Sequence, residues 1–435
     1  MKDKARLINT AKNYVIALLF LSAIFLLFKV ISNEPGSFLS EIDELFGGQS
    51  GGGAVSLPSG DGSDHAANPV FLMTTAEDGS HYAVKYDSEG KEKIITQFSA
   101  YLGEALGSSA SLEKISTNQW KLALSDIGIF FDYLYPQPLS SIASWLGVET
   151  TGEASLKYAR RFFLGRDDGY LVLYFIDESD GSIYRRKTTF KFASFESKIG
   201  EFPAGNAEFA FELGNEYEEL DPYYIFSYES EKLKKFTVSN PIREGLDKTR
   251  LLSYFGMNSK IVSEYSEADG SVVYVEGEKT LRFEASGKVL FTASGGSGIT
   301  ISGDPNAMKI TDLISVCYEI VQNSLVQTVG DGEVGLTDVS SVTDPQNCTL
   351  HFGYFASGIP VVLPGNSSAA SFEVRGGTLI RAELYFRKYT FSGETTLALP
   401  EKQATEIAKS SGGEPLLVYE DKQDTISCEW IFNSN

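Results

Sequence analysis

Seven dipeptides suited to tight turns, Asp78-Gly79, Glu89-Gly90, Asp168-Gly169, Asp180-Gly181, Asp269-Gly270, Ser286-Gly287 and Gly376-Gly377, each stand between apolar or alternating runs. A two-residue hairpin loop demands positive φ, which glycine adopts without steric penalty, so this recurrence commits the chain beyond Pro69 to mainly antiparallel sheet. Three helical stripes interrupt the strands. Ile94, Ile95, Phe98, Tyr101, Leu102, Ala105 and Leu106 share one face ahead of Gly107. Ile310, Leu313, Ile314, Cys317, Ile320 and Val321 share another, with Asp304 and Pro305 placed as N-cap and N1. Ala404, Ile407 and Ala408 follow Pro400 in a third that closes at Gly412.

Composition divides the chain. Gly47 to Ser63 is Gly/Ser-rich, with a reach of roughly 23 Å, so residues 47–68 read as a flexible linker. Three units are predicted beyond it. Residues 69–149 form an N-terminal α+β domain, with an apolar strand from Ile127 to Tyr133 and a short helix from Leu139 to Leu146. Residues 150–298 form a central β-meander domain, with strands Tyr158 to Leu164, Tyr170 to Ile176 and Ile183 to Thr189, then Val272 to Val275, Thr280 to Phe283 and Val289 to Ala293. Residues 299–435 form a C-terminal α+β domain. The class is α+β, mainly antiparallel sheets with helices packed on one face.

Ahead of the linker, residues 1–46 hold an apolar run from Tyr14 to Phe28, behind Lys2, Lys4, Arg6 and Lys12 and ahead of Glu34, Glu41, Asp43 and Glu44. Extended to Ile31, it gives roughly 27 Å of helix, close to the ~30 Å hydrocarbon thickness of a bilayer. Tyr14, Ala17, Leu18, Leu21, Ile24, Phe25, Phe28 and Ile31 are the expected anchor residues. Basic charge before the span and acidic charge after it orient the N-terminus to the cytoplasm and the bulk of the chain outward, as a single-pass protein of the cell membrane. A cleaved signal peptide shares the basic start and apolar core, but no A-x-A-like pair follows Phe28, which favours retention. Phe38, Leu39, Ile42, Leu45 and Phe46 add a short amphipathic helix behind Ser37.

A net charge of −21 repels polyanions, which excludes nucleic acid as a partner. Cys317, Cys348 and Cys428 are too few for a disulfide framework and are not spaced as a zinc site. One bridge could form among them in an oxidising compartment, and buried thiols are the simpler reading.

Chemistry is sought first at the histidines, but His65, His81 and His351 have no second His or Cys at ligand spacing. Gly296-Ser297-Gly298 lacks the frame of a nucleophile elbow. Gly330-Asp331-Gly332-Glu333-Val334-Gly335 matches a dinucleotide fingerprint in letters, yet a helix precedes it and acidic residues occupy it, so it reads as a loop. Asp177 to Gly181 lacks the calcium-loop glycine and glutamate positions. Glu216, Glu218, Glu219 and Asp221 read as a solvated acidic face, and Tyr217, Tyr223, Tyr224, Phe226 and Tyr228 as aromatics alternating along a strand. No catalytic, cofactor-binding or metal-ligating residue is nominated, and no cofactor is expected.

Three stretches then carry a resemblance: Phe130-Phe131-Asp132-Tyr133 with Pro138-Leu139 and Trp145-Leu146-Gly147; Tyr274-Val275-Glu276-Gly277 with Thr280-Leu281-Arg282-Phe283 and Gly287 to Phe291; and Gly358-Ile359-Pro360-Val361 with the strands around Gly376-Gly377 and the helix from Pro400. Together with the anchor they resemble the YycH and YycI family of Gram-positive bacteria, membrane-anchored auxiliary regulators of the WalK sensor kinase. The last stretch is similar to the C-terminal module that YycH and YycI share. The resemblance implies a non-enzymatic, outward-facing body that contacts a sensor histidine kinase, and a homologous anchored regulator as a further partner. Two rival readings stay open: an envelope module that binds wall polymer or peptide, and an envelope hydrolase built on paired acids.

Overall fold

The computed structural model describes residues 66–86, 88–203, 205–228, 232–294, 296–302, 304–409 and 414–433. The expected anchor, the juxtamembrane helix, His65 and nearly all of the linker lie outside them. No helix among the described residues is long and apolar enough to cross a membrane.

The first sheet has nine strands among the described residues: β1 (Phe71–Thr75), β2 (His81–Lys85), β3 (Glu113–Ile115), β4 (Gly128–Pro138), β5 (Tyr158–Asp167), β6 (Tyr170–Asp177), β7 (Ser182–Lys191), β8 (Ala207–Phe209) and β9 (Ile225–Ser227). They run in the order β3-β7-β6-β5-β4-β1-β2-β8-β9, every neighbouring pair antiparallel. Among the described residues four helices lie between its strands in sequence, α1 (Ser88–Gly107), α2 (Thr117–Leu124), α3 (Leu139–Trp145) and α4 (Ala193–Ile199), and α5 (Lys248–Tyr254) follows its last strand and precedes the second sheet.

Leu171 to Phe175 are all buried, and successive strand residues point to opposite faces, so this sheet is covered on both sides rather than one. Trp120 of α2 packs on the row Phe130, Phe163 and Tyr174, with ring centroids 6.3–6.4 Å away. The alternate row, Phe131, Phe162 and Phe175, is buried facing the other way. Helix α1 runs against β6 and β7. At the start of α2, Ser116 Oγ accepts from Gln119 N while the Gln119 side chain accepts from Ser116 N at 2.9 Å, a reciprocal cap that satisfies two end donors.

The second sheet has twelve strands among the described residues: β11 (Ser263–Ser266), β12 (Val272–Glu276), β13 (Lys279–Phe283), β14 (Lys288–Ala293), β15 (Ile299–Thr300), β16 (Gly332–Val339), β17 (Thr349–Ala356), β18 (Ile359–Val362), β19 (Ala370–Arg375), β20 (Thr378–Tyr385), β22 (Glu414–Asp421) and β23 (Ile426–Asn433). Its path is β11-β12-β13-β14-β20-β19-β17-β18-β22-β23, with β15 on β20 and β16 on β17. A separate two-stranded ribbon pairs β10 (Lys232–Ser239) with β21 (Lys388–Leu397). Helices α6 (Ile310–Val321) and α7 (Glu401–Lys409) complete the set. Strands β18 and β22 pair in parallel, which requires a long crossover, and the chain from β19 through α7 supplies it.

Mixed α+β architecture with mainly antiparallel sheets is therefore observed, while residues 150–298 do not make a sheet of their own. Their first meander, β5–β7, extends the first sheet through β4, and their second, β12–β14, joins the C-terminal sheet through β20. An isolated three-stranded meander would leave apolar edges unpaired, and pairing outward removes them. The described residues all belong to one compact unit. Asp304 caps a short turn rather than α6: its side chain accepts from Asn306 N at 3.0 Å, and the helix begins at Ile310. Strand β20 ends at Tyr385, and the ribbon leaves the sheet at Phe386-Arg387.

Candidate functional site

Charged residues interrupt two apolar strands of the first sheet, and their side chains converge. Asp132 of β4 is paired in register with Arg161 of β5. Arg160 Nε donates to Asp132 Oδ1 at 2.7 Å and Arg161 Nε to Oδ2 at 3.3 Å. Each guanidinium then reaches onward. Arg161 Nη1 donates to Asp221 at 2.7 Å, and Arg160 Nη2 to Glu414 at 3.5 Å. The Arg161 guanidinium also lies 5.6 Å from the ring centroid of Tyr223. Since Glu414 opens β22, these ions tie the first sheet to the second.

The two carboxylates respond oppositely to one environment. Burial alone would raise Asp132, but the two adjoining guanidiniums hold it below the ordinary carboxylate range. Glu414 is raised by burial, because the same arginines stand 3.5–3.9 Å away and offset the desolvation only in part.

A second tie lies two strands away in the same row, since Phe71 of β1 pairs in register with both Asp132 and Lys85. Lys85 Nζ sits 2.6 Å from Glu401 Oε1 and donates to Ile225 O at 2.6 Å. The Tyr224 hydroxyl donates to the same carboxylate, and Ser227 N donates to its second oxygen at 2.9 Å. Glu401 is the first residue of α7, so the starts of α7 and β22 are both fastened to the first sheet. Buried ion pairs of this kind position backbone. Among the described residues no three His, Cys, Asp or Glu side chains gather as a metal group.

The residues singled out in the sequence are mostly dispersed. His81 is buried, with Nδ1 3.0 Å from Thr75 Oγ1 and Nε2 3.0 Å from Glu212, and that hydrogen bond helps hold Glu212 low against its desolvation. His351 Nδ1 lies 3.0 Å from Ser368 Oγ. All three cysteines are unbridged. Burial pushes the Cys317 and Cys348 thiols up, and that of Cys428 up to about 12, which makes each a poor nucleophile. Ser297 Oγ donates to Ser294 O in a turn. Asp177 is buried against Lys157 Nζ at 2.7 Å.

Two expectations are corrected. The glycine-rich segment is not wholly a loop, since β16 begins at Gly332, and a Cβ at Gly330 would stand 2.4 Å from Tyr389 O. Its glycines serve close strand packing. The aromatic cluster is not one alternating strand: Tyr217, Tyr224 and Phe226 close a small core with Ala210 and Leu220, while Tyr228 stays exposed. Within the acidic face, Glu218 and Glu219 are exposed but Asp221 joins the ionic seam. Asp132, Arg160 and Arg161 were not nominated as a site from the sequence; the available signal was charge inside otherwise apolar strands.

These features define a class: an α+β body of two large, mainly antiparallel sheets, fastened by buried ion pairs. No family model matches the sequence, and no curated protein matches it. Among solved structures, the crystal structure of YycH from Bacillus subtilis aligns with a TM-score of 0.56 at 11% identity, over 88% of this chain and 98% of that one. The fold is YycH-like, as the three sequence stretches led one to expect.

Proposed function

We propose that this chain is a single-pass, membrane-anchored extracytoplasmic regulator of a two-component sensor histidine kinase that controls cell-wall homeostasis, with no catalysis of its own. The observation that carries the reading is the YycH-like fold over 88% of the chain. The apolar run from Tyr14 to Phe28, with its charge asymmetry, supports an anchor beside the kinase's own transmembrane helices. The partners are the kinase and a homologous anchored regulator. Regulation follows from binding one kinase state better than another, since a partner shifts an equilibrium only by its differential affinity.

Photocrosslinkers placed singly at Ala17, Leu21, Phe25 and Phe28 in living cells test it. A kinase adduct is expected from one face of the helix, together with a shifted kinase regulon on deletion. Protease added to intact cells should remove the bulk of the chain. The absence of any kinase adduct with an unchanged regulon defeats the proposal.

A further inference from the structure

A cavity of about 380 Å³ opens where α3 and the turn after it meet the start of α6 and the 342–345 segment. Its size is within the range typical of small-molecule sites, about 300–1,000 Å³. Val148, Leu156, Met308 and Val342 give it an aliphatic wall, and none of its lining side chains is aromatic. Leu156 is 57% exposed at the rim, a large apolar side chain without cover. Thr311 and Thr343 line the same cavity with hydroxyl-bearing side chains. Glu149 and Lys309 place opposite charges on its lining.

We infer that this cavity binds a short peptide with an aliphatic side chain and free termini. The aliphatic wall takes the side chain. The hydroxyls, each both donor and acceptor, meet peptide N–H and C=O groups. Glu149 complements an ammonium and Lys309 a carboxylate. A saccharide would pack its C–H faces best on an aromatic ring, which this wall does not offer. Because the two walls come from elements of different sheets, an occupant stabilises their packing by mass action. The inference is independent of the kinase proposal, and either can fail alone.

The test is calorimetric titration of the purified full-length chain in detergent with the free tripeptide Ala-Leu-Ala, its N-acetylated and C-amidated form, and chitobiose. The free tripeptide is expected to saturate with a dissociation constant at or below about 1 mM, and the blocked form to bind about tenfold more weakly. Leu156→Asp and Thr343→Trp, both at exposed positions, should each weaken binding by about tenfold or more while leaving the melting temperature near that of the parent. Lys309→Glu should weaken the free peptide and leave the blocked one unchanged. No saturation by the free tripeptide, equal binding in both folded variants, or equal binding of chitobiose overturns the inference.

Discussion

Arg387 and Asp421 meet within the second sheet and the ribbon that leaves it, whereas Asp132, Arg160, Arg161, Asp221 and Glu414 draw on two sheets. The first pair is closed. Arg387 Nε donates to Asp421 Oδ2 at 2.7 Å, Nη2 donates to Oδ1, and Nη2 also donates to Gln423 O. Asp421 further accepts from the Tyr389 hydroxyl at 3.0 Å and from Gln423 N at 2.8 Å. The second group is tight inside the first sheet and loose where it crosses: Glu414 stands 3.5–3.9 Å from its arginines, and Arg161 Nη2 is buried without a hydrogen-bond partner. A satisfied buried network fixes local geometry, and one left partly unmet at a boundary holds its halves together less firmly. The slack therefore lies at the Glu414 crossing, whereas the Lys85–Glu401 crossing, at 2.6 Å, is tight.

Asp421→Ala is expected to have the largest effect, because it leaves the 2%-exposed Arg387 charged and unpaired. Loss of about 3–5 kcal/mol in denaturant unfolding is the expected outcome. Asp132→Ala should cost somewhat less, about 2–3 kcal/mol, since Asp221 and Glu414 remain for the two arginines. Glu414→Gln, at the loose crossing, should cost about 1 kcal/mol or less. A Glu414→Gln loss equal to that of Asp421→Ala would break the comparison, for the crossing would then be as taut as the clamp.

Titration sharpens the same contrast with signs that oppose. Asp132 is depressed in the folded state, so its contribution is present above its ordinary value of 3.8 and is lost as pH falls through the depressed value. Glu414 is raised, so its contribution is full below its ordinary value of 4.5 and is lost as pH rises through the raised value. Melting temperature against pH should accordingly show a steeper acid decline in the parent than in Asp132→Asn. Glu414→Gln should instead flatten the decline that begins above 4.5. Exchange of these two signatures would mean that the arginines favour Glu414.

Legibility in the sequence followed the range of the interactions. Strand β17 alternates as a half-buried strand must, with Leu350, Phe352, Tyr354 and Ala356 inward, and the hairpin glycines at 79, 169, 181 and 270 all take positive φ. Helix α1 was readable from its stripe. Helix α2 was not, because its eight residues bury little besides Trp120 and Leu124; its sequence signal was the reciprocal cap from Ser116 to Gln119. The β10 strand, Lys-rich and paired with a segment far along the chain, has no local signature at all. The ionic seam was hidden for the same reason. Arg160 and Arg161 adjoin in sequence, but Asp132, Asp221 and Glu414 come from separate elements, and no spacing rule joins them.

The ribbon supplies the smallest expected effect and the control for the others. Lys235 Nζ lies 3.0 Å from Glu394, a shorter contact than either arginine makes to Glu414, yet the two side chains are 52% and 68% exposed. In water the Coulomb gain is small, the ordering of two long side chains opposes it, and salt screens what remains. Lys235→Ala should therefore change stability by no more than about 0.5 kcal/mol, and raising the salt concentration should erase the difference. Distance alone would rank this pair above the Glu414 crossing, and burial ranks it below. A loss in Lys235→Ala larger than that in Glu414→Gln would show that proximity, not desolvation, sets the strength of these ties, and the distinction between clamp and crossing would lose its physical basis.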